Sequence, residues 1–162
     1  MTYGEEGGTD LSTLRGRDYP GVRQFSVFLE NRVGAMLDLV RRLEASSNRI
    51  VAMSVMDSAD CAIVRLIMSD PERAVETLQQ ARLAFLECDV LVVQLPSGNS
   101  PIGTICKALL AAEINIHYAY PLLVGGDHRP VLALHVDDHD TGIQTLQRQG
   151  FTVLSEQDLE TN

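Results

Sequence analysis

The pattern of hydrophobic and polar residues begins to predict regular structure at Arg23. Phe25, Val27 and Leu29 alternate with polar residues, which is the period of a half-buried strand. A loop at residues 31–34 separates this strand from a stripe of hydrophobic residues spaced by three and four positions. That spacing places one face of a helix against a core. The stripe consists of Met36, Leu39, Val40 and Leu43.

The next segment predicts a β-hairpin followed by a second helix and a final strand. Two hydrophobic runs, at 50–56 and 61–68, flank the turn-forming residues 57–60. Asp70 and Pro71 are typical of a helix start, since proline is tolerated in the first turn and aspartate caps it. A hydrophobic stripe continues through this helix, and the last strand begins at about Phe85.

The same succession of elements occurs twice. When the numbering is shifted by 66 positions, the hydrophobic residues of the first strand and of the first helix align with hydrophobic residues in the second half of the chain. Beyond the hairpin the shift becomes 68, and the extra residues fall at the predicted turn of Gly125, Gly126 and Asp127, where an insertion costs little. The matched residues of the second half are Leu91, Val93, Leu95, Ile102, Ile105, Cys106, Leu109, Leu132, Leu134, Val136, Ile143 and Leu146.

This repeat predicts an α+β fold of two tandem ferredoxin-like βαββαβ units, each with an antiparallel sheet and helices on one face. We expect a flexible N-terminal tail over 1–20, a first unit over 21–87, a second unit over 88–157 and a C-terminal tail over 158–162. Residues 85–95 contain neither glycine nor proline, so the last strand of the first unit should continue into the second. The open sheet faces are also hydrophobic, which predicts that the units pack on each other or that the chain dimerises.

Composition and charge narrow the classes of partner. A net charge of −9 disfavours nucleic acid and anionic membranes. No hydrophobic run approaches the roughly 20 residues of a membrane-spanning helix, and the first ten residues do not resemble a signal peptide. The expected location is therefore the cytoplasm, where Cys61, Cys88 and Cys106 are expected to be buried, reduced thiols.

Catalytic and metal-binding patterns are weak. No arrangement of serine, histidine and aspartate or of cysteine and histidine is evident, no phosphate-binding glycine loop follows a strand, and no cofactor is implied. The histidines at 117, 128, 135 and 139 suggest a metal site, but His135 and His139 lie on a strand that leads into a helix start. Their separation does not make the imidazoles converge there, so no metal is predicted. We expect a protein that is not an enzyme.

Residues 22–156 resemble the stand-alone tandem ACT domain proteins, a family of βαββαβ modules that bind amino acids and regulate metabolic enzymes. The first strand ends in Asn31-Arg32-Val33-Gly34-Ala35-Met36, which resembles the family's turn into its first helix. Ile114-Asn115-Ile116 resembles the family's entry into its second strand. Val33 replaces the usual proline, and Ser100 stands where the second unit should have the glycine.

The expected ligand site follows from this loop. A glycine at a strand-to-helix turn lets backbone N–H groups approach an anion, so Gly34, Ala35 and Met36 are expected to bind the ligand carboxylate. Asn31 either accepts a hydrogen bond from the ligand ammonium or caps the helix. The remaining predicted ligand-binding residues are Val33 in this loop, Asn99, Ser100 and Ile102 in the second loop, and Asn115 and Tyr118.

Two of these residues have an alternative interpretation. The resemblance implies that Asn115 reaches across an interface between units, but it can equally end a loop. Tyr118 shares a strand face with Tyr120, and such rings either line a pocket or pack between units.

The resemblance implies a non-catalytic regulatory protein. It would bind an amino acid where its ACT units meet, and would signal through an allosteric change in pairing, as a homodimer. The alternative is a regulatory subunit that acts by protein contact on an amino acid biosynthetic enzyme such as acetolactate synthase, with or without a ligand.

Overall fold

A computed structural model describes residues 20–123 and 129–160 of the 162-residue chain. The first half contains β1 (Val22–Glu30), α1 (Ala35–Glu44), β2 (Ile50–Asp57), β3 (Cys61–Met68) and α2 (Pro71–Gln80). β4 (Ala84–Gln94) follows, and the second half contains α3 (Pro101–Ala111), β5 (Ile116–Pro121), β6 (Val131–Val136), α4 (His139–Arg148), β7 (Val153–Leu154) and α5 (Glu156–Glu160). The predicted α+β class of tandem ferredoxin-like units is confirmed.

The seven strands found in the described residues belong to one antiparallel sheet, and β4 is the strand that the two units share. The strand order is β2-β3-β1-β4-β6-β5, with β7 paired to β4. Residues 84–90 of β4 pair with β1, whereas residues 91–94 pair with β6. The boundary predicted between residues 87 and 88 therefore falls inside a continuous strand, as the absence of glycine and proline from this segment led us to expect.

Alternation along the strands gives each unit a core beneath its own helices. Phe25, Val27 and Leu29 pack with Leu39 and Leu43 of α1 and with buried residues of β3 and α2. In the second unit, Leu91 and Val93 pack in the same way against α3, α4 and β6. Because the residues of β4 in both cores have odd numbers, the helices of the two units lie on the same face of this strand.

The opposite face of the sheet curls until its two edge strands meet. Ala52 of β2 forms an isolated bridge with Leu122, and the Leu123 N–H donates to the Val51 carbonyl at 2.7 Å. The enclosed space is filled by a third cluster drawn from both units. Its buried members are Val22, Val51, Ala52, Ile67, Val90, Val92, Tyr120, Val131, Ala133 and Leu159. The open sheet faces therefore pack on each other within one chain, which is one of the two outcomes that the sequence predicted.

The short helix α5 closes one end of this inner cluster. Leu159 is only 2% exposed and packs among the residues of the cluster. Glu156 accepts from Arg23 at the backbone N–H (3.0 Å) and at Nε (2.8 Å), which fastens α5 to β1. Residues 158–160, predicted as part of a C-terminal tail, are thus helical and held against the first unit.

Several expectations need correction or lie outside the described residues. The prediction of buried thiols is wrong: Cys61 and Cys88 are half-buried and Cys106 is exposed. In α3 the core side of the helix is formed by Ile105, Ala108 and Leu109, while Ile102 is exposed, because the stripe is rotated relative to that of α1. Apart from Pro20, the predicted N-terminal tail is not described, nor are the predicted turn at 125–127 and residue 128.

Within residues 20–123 and 129–160, no helix is long and hydrophobic enough to cross a membrane.

Candidate ligand site

The loop between β1 and α1 has the backbone geometry that its glycine predicted. Gly34 precedes the first helical residue with φ +88°, a left-handed conformation that other residues rarely adopt. A Cβ atom at Gly34 would meet nothing within 4 Å, so the glycine is required by the backbone angle and not by crowding. The Arg32 N–H donates to the Glu30 carbonyl at 2.8 Å, which closes the turn.

The start of α1 offers backbone N–H groups to an anion, although not all of them are free. The Ala35 N–H donates to the Arg32 carbonyl at 3.3 Å, a long hydrogen bond. No side chain caps this helix, because its N-cap residue is Gly34. First-turn N–H groups have no acceptor within their own helix, so the N–H of Met36 is directed toward the space beyond the helix end.

Asn31 does not cap the helix, which was one of its two interpretations. Its amide donates to the Ser58 carbonyl at 3.0 Å and to Asp57 Oδ1 at 3.4 Å, both in the β2–β3 turn. The helix cap is Gly34 instead. Asn31 therefore holds the loop against the hairpin.

An open depression of about 590 Å³ lies beside this loop. Asp57 and Glu30 supply carboxylates at its rim, and Arg32 supplies a guanidinium that also contacts Asp38 at 3.1 Å. Sequence reasoning missed these charged residues, although two of them flank Asn31 in the sequence. The lining residues are Leu29, Glu30, Asn31, Arg32, Val33, Ala35, Met36, Val55, Asp57 and Ala62.

The residues predicted in the second loop lie far from the first. β4 has 11 residues, a length of about 33 Å, and the two loops are at its opposite ends. Ser100 is the N-cap of α3 without a side-chain hydrogen bond to the helix, and Asn99 and Ile102 are exposed. One chain therefore cannot bring Asn99, Ser100 and Ile102 onto the same small molecule as Gly34.

Asn115 and Tyr118 lie apart from both loops. The Asn115 N–H donates to Asp137 Oδ1 at 3.0 Å, and its carbonyl accepts from the Asp137 N–H at 3.2 Å. This arrangement ends a loop, which was one of the two interpretations of Asn115. Tyr118 faces the space between the units, where it contacts residues of the first unit.

Sequence reasoning missed a hydrogen-bond network around Gln24, which is fully buried. Gln24 Oε1 accepts from the Tyr120 hydroxyl at 2.6 Å, and Gln24 Nε2 donates to the Tyr118 hydroxyl at 2.7 Å and lies 3.3 Å from Cys88 Sγ. In the sequence Gln24 occupies a polar position of an alternating strand, and this position suggests that its side chain is exposed to solvent. The shared face of Tyr118 and Tyr120 was the available signal, since buried hydroxyls require partners.

Burial changes the ionisation of this network. It raises the pKa values of Tyr118 and Tyr120, and it also raises that of the Cys88 thiol, because a charged form is poorly solvated there. The pKa of His135 is lowered, first by burial and then by the neighbouring His117 and Arg65. The raised pKa values keep the two tyrosines and the Cys88 thiol uncharged at pH 7.

The histidine cluster does not form a metal centre within the described residues. The His117 and His135 rings lie 5.3 Å apart, but no group of three or more metal-binding side chains converges in this part of the chain.

Comparisons with known proteins agree with this architecture. The model of a family described as an ACT domain pair matches residues 21–162. The crystal structure of protein BT0572 from Bacteroides thetaiotaomicron has a TM-score of 0.80 and 24% identity, covering 88% of this chain and 97% of that one. The ligand-free regulatory subunit of aspartate kinase from Thermus thermophilus has a TM-score of 0.55 and 9% identity, with coverages of 82% and 95%.

The regulatory subunit of aspartate kinase from Thermus flavus is similar to the same degree, with a TM-score of 0.53, 9% identity and coverages of 79% and 91%. No curated protein matches the chain. At these identities the solved structures establish the fold alone.

Proposed function

We propose, from the premise that this chain belongs to the ACT domain pair family, that it is a non-catalytic regulatory protein that binds an amino acid beside Gly34. The observation that carries the proposal is the depression at the start of α1. It combines a left-handed glycine, a helix N-terminus for a carboxylate and the acidic rim of Glu30 and Asp57 for an ammonium. These are the groups that an amino acid backbone needs.

The exposed part of β2 connects this depression to subunit pairing. Val55 and Asp57 line the depression and belong to a stretch of β2 that, among the described residues, pairs only with β3. The hydrophobic side chains of this stretch are exposed: Met53 by 37%, Val55 by 51% and Met56 by 42%. A second copy paired at this edge would cover the depression, so a bound ligand would change the strength of pairing.

A thermal-shift measurement with each common amino acid at millimolar concentration tests the proposal. A ligand at about 100 times its Kd stabilises a protein by roughly 2.7 kcal/mol, which is a shift of a few degrees. Val33→Glu should abolish this shift, because it places a carboxylate where the ligand carboxylate binds. Val33 is 102% exposed, so the change leaves the core intact.

Asn99→Glu is the matched control, since residue 99 occupies the position equivalent to Val33 in the second loop. It should leave the ligand response unchanged if only the first loop binds. The proposal fails if no amino acid stabilises the protein, or if both variants respond as the unaltered protein does. Sedimentation velocity with and without the stabilising amino acid should show a change in the fraction of dimer.

The exposed edge of β2 also supports a second function, which is contact with a catalytic partner. In that case the chain would act as a regulatory subunit of an amino acid biosynthetic enzyme, such as acetolactate synthase, with or without a ligand. Flat thermal curves together with a stable complex with such an enzyme, lost in Val55→Lys, would favour this alternative. Neither function assigns the protein a catalytic residue.

A further inference from the structure

Polar side chains of both units face one another in the space that the curled sheet encloses, at the end away from α5. Arg65 of β3 projects from this inner face beside Ser26 and Ser54, its cross-strand neighbours on β1 and β2. Leu86, which pairs with Ser26, is 63% exposed, so this end of the space is open to solvent. The polar end is thus accessible, whereas Leu159 fills the other end.

Positively charged and basic side chains converge on Tyr118 at this open end. The Arg65 guanidinium carbon lies 3.9 Å from the centroid of the Tyr118 ring. The His135 ring stacks on the same ring at 4.8 Å with an interplanar angle of 5°, and His117 lies 5.3 Å from His135. Arg65 comes from the first unit and the others from the second, so this cluster spans the junction between units.

Two buried nitrogen atoms of the cluster have no hydrogen-bond partner among the described residues. Arg65 forms no ion pair with any carboxylate of the described residues. Its Nε atom and His135 Nδ1 are buried, and neither makes a hydrogen bond within residues 20–123 and 129–160. Buried donors are almost always paired in native proteins, because an unpaired one loses its hydration without compensation. Arginine cannot avoid this cost by losing its proton.

We infer that this space is a binding site for a small oxyanion, of the carboxylate class, that binds Arg65 of the first unit beside Tyr118 and His135 of the second. Arginine and a carboxylate form paired, charge-assisted hydrogen bonds, which would satisfy the buried Nε atom. The site is distinct from the depression beside Gly34 and goes beyond the proposed function. Since one ligand would contact both units, its binding would reinforce their packing.

The ionisation of His135 provides a readout for anion binding. Burial and the neighbouring positive groups hold the pKa of His135 below its ordinary value, and a bound anion would raise it by stabilising the imidazolium. The ionisable groups around it come from several elements. They are Arg65 on β3, Cys88 with its neighbour Asp89 on β4, His117, Tyr118 and Tyr120 on β5, and His139 on α4.

Thermal unfolding in sodium acetate or sodium sulfate, compared with sodium chloride at equal ionic strength, tests the site. Because sulfate stabilises most proteins by exclusion, the informative quantity is the difference between variants. Arg65→Met keeps the length of the side chain and orphans no carboxylate. It should weaken the apparent affinity for acetate by about tenfold or more. Arg42→Met, an exposed arginine on α1, removes the same charge and should bind acetate as the unaltered protein does.

A second measurement stands independently of whether Arg65→Met folds. The pKa of His135, followed by NMR of the ring protons in the unaltered protein, should rise by about half a unit or more on saturation with acetate or sulfate. An unchanged His135 pKa, or equal stabilisation of the Arg65→Met and Arg42→Met variants, would overturn the inference. Val33→Glu should leave acetate binding intact, so failure of this site and failure of the amino acid site are distinguishable.

Discussion

Gln24 is a fully buried amide whose hydrogen bonds join the two units. Its carbonyl oxygen accepts from Tyr120, and its nitrogen donates to Tyr118, each at a short distance. A buried amide is costly unless its donors and acceptor are paired. Gln24 therefore fixes how β1 of the first unit meets β5 of the second.

Tyr120→Phe should lower the free energy of unfolding by about 1–3 kcal/mol, because Gln24 Oε1 loses its hydroxyl donor inside the protein. Urea denaturation measures the change. Tyr118→Phe is the control: it should cost less, since Gln24 Nε2 keeps Cys88 at 3.3 Å and Ser26 at 3.4 Å as neighbours. The variant that combines Tyr120→Phe with Gln24→Met provides a further test. The interpretation is wrong if its loss of unfolding free energy equals the sum of the losses in the two single variants.

Some residue positions were predictable and others were not, for identifiable reasons. Gly34 was predictable because a left-handed turn before a helix leaves few alternatives to glycine. Gln24 was not, because alternation within one strand cannot reveal that β5 of the second unit covers its polar face. Cys106 was predicted as buried because its neighbours are hydrophobic, but α3 turns it to solvent. Burial at such positions is set by the other unit or by helix rotation, and neither is a local property.

At the scale of elements, α2 and α4 begin with equivalent aspartate caps. Asp70 accepts from the Arg73 N–H at 3.1 Å and Asp138 accepts from the Thr141 N–H at 3.0 Å, and the two positions differ by the 68-residue shift of the repeat. The Asp70 cap and the core side of α1 were predictable because each rests on local spacing. The curling of the sheet was not, since it depends on the contact of β2 with Leu122 across the molecule.

Asp138 gives a pH-dependent prediction. The Thr141 backbone N–H and hydroxyl hold the pKa of Asp138 below its ordinary value of 3.8. A lowered carboxyl pKa stabilises the folded state fully above 3.8, and this contribution is lost as pH falls through the folded-state pKa. Asp138→Asn should therefore be less stable than the unaltered protein at pH 7, and the difference should shrink between pH 5 and about pH 2.

Urea denaturation at several pH values measures this difference. Thr141→Val removes the hydroxyl donor, so the pH dependence of Asp138 should be smaller in that background. A difference that stays constant over the acidic range would contradict the assignment of the shift to the cap.

At the scale of the whole molecule, the short helix α5 closes one end of the inner cluster. Leu159 completes the inner cluster, and Arg49 donates to the Leu159 carbonyl at 3.3 Å. Leu159→Ala should lower the free energy of unfolding by about 2 kcal/mol, the low end for a buried leucine, because a terminal helix can adjust. Urea denaturation again provides the measurement.

Leu110→Ala provides the matched control, because Leu110 is 73% exposed and its loss should change stability by no more than about 0.5 kcal/mol. Equal losses in the two variants would mean that α5 does not close the inner cluster. This role of α5 was not predictable, since a five-residue helix is too short to show a hydrophobic period.

Because β4 belongs to both units, the chain has no position between them at which it could be cut without dividing a strand. A chain cut between residues 87 and 88 would leave the first half with only residues 84–87 of the segment that pairs with β1. Residues 88–90 of that segment would stay in the second half, together with the whole segment that pairs with β6. Each fragment would expose backbone hydrogen-bonding groups that are paired in the intact chain. The other fragment carries the partners of these groups, so the two fragments should bind each other. We therefore expect the two units to fold and unfold together, in a single transition.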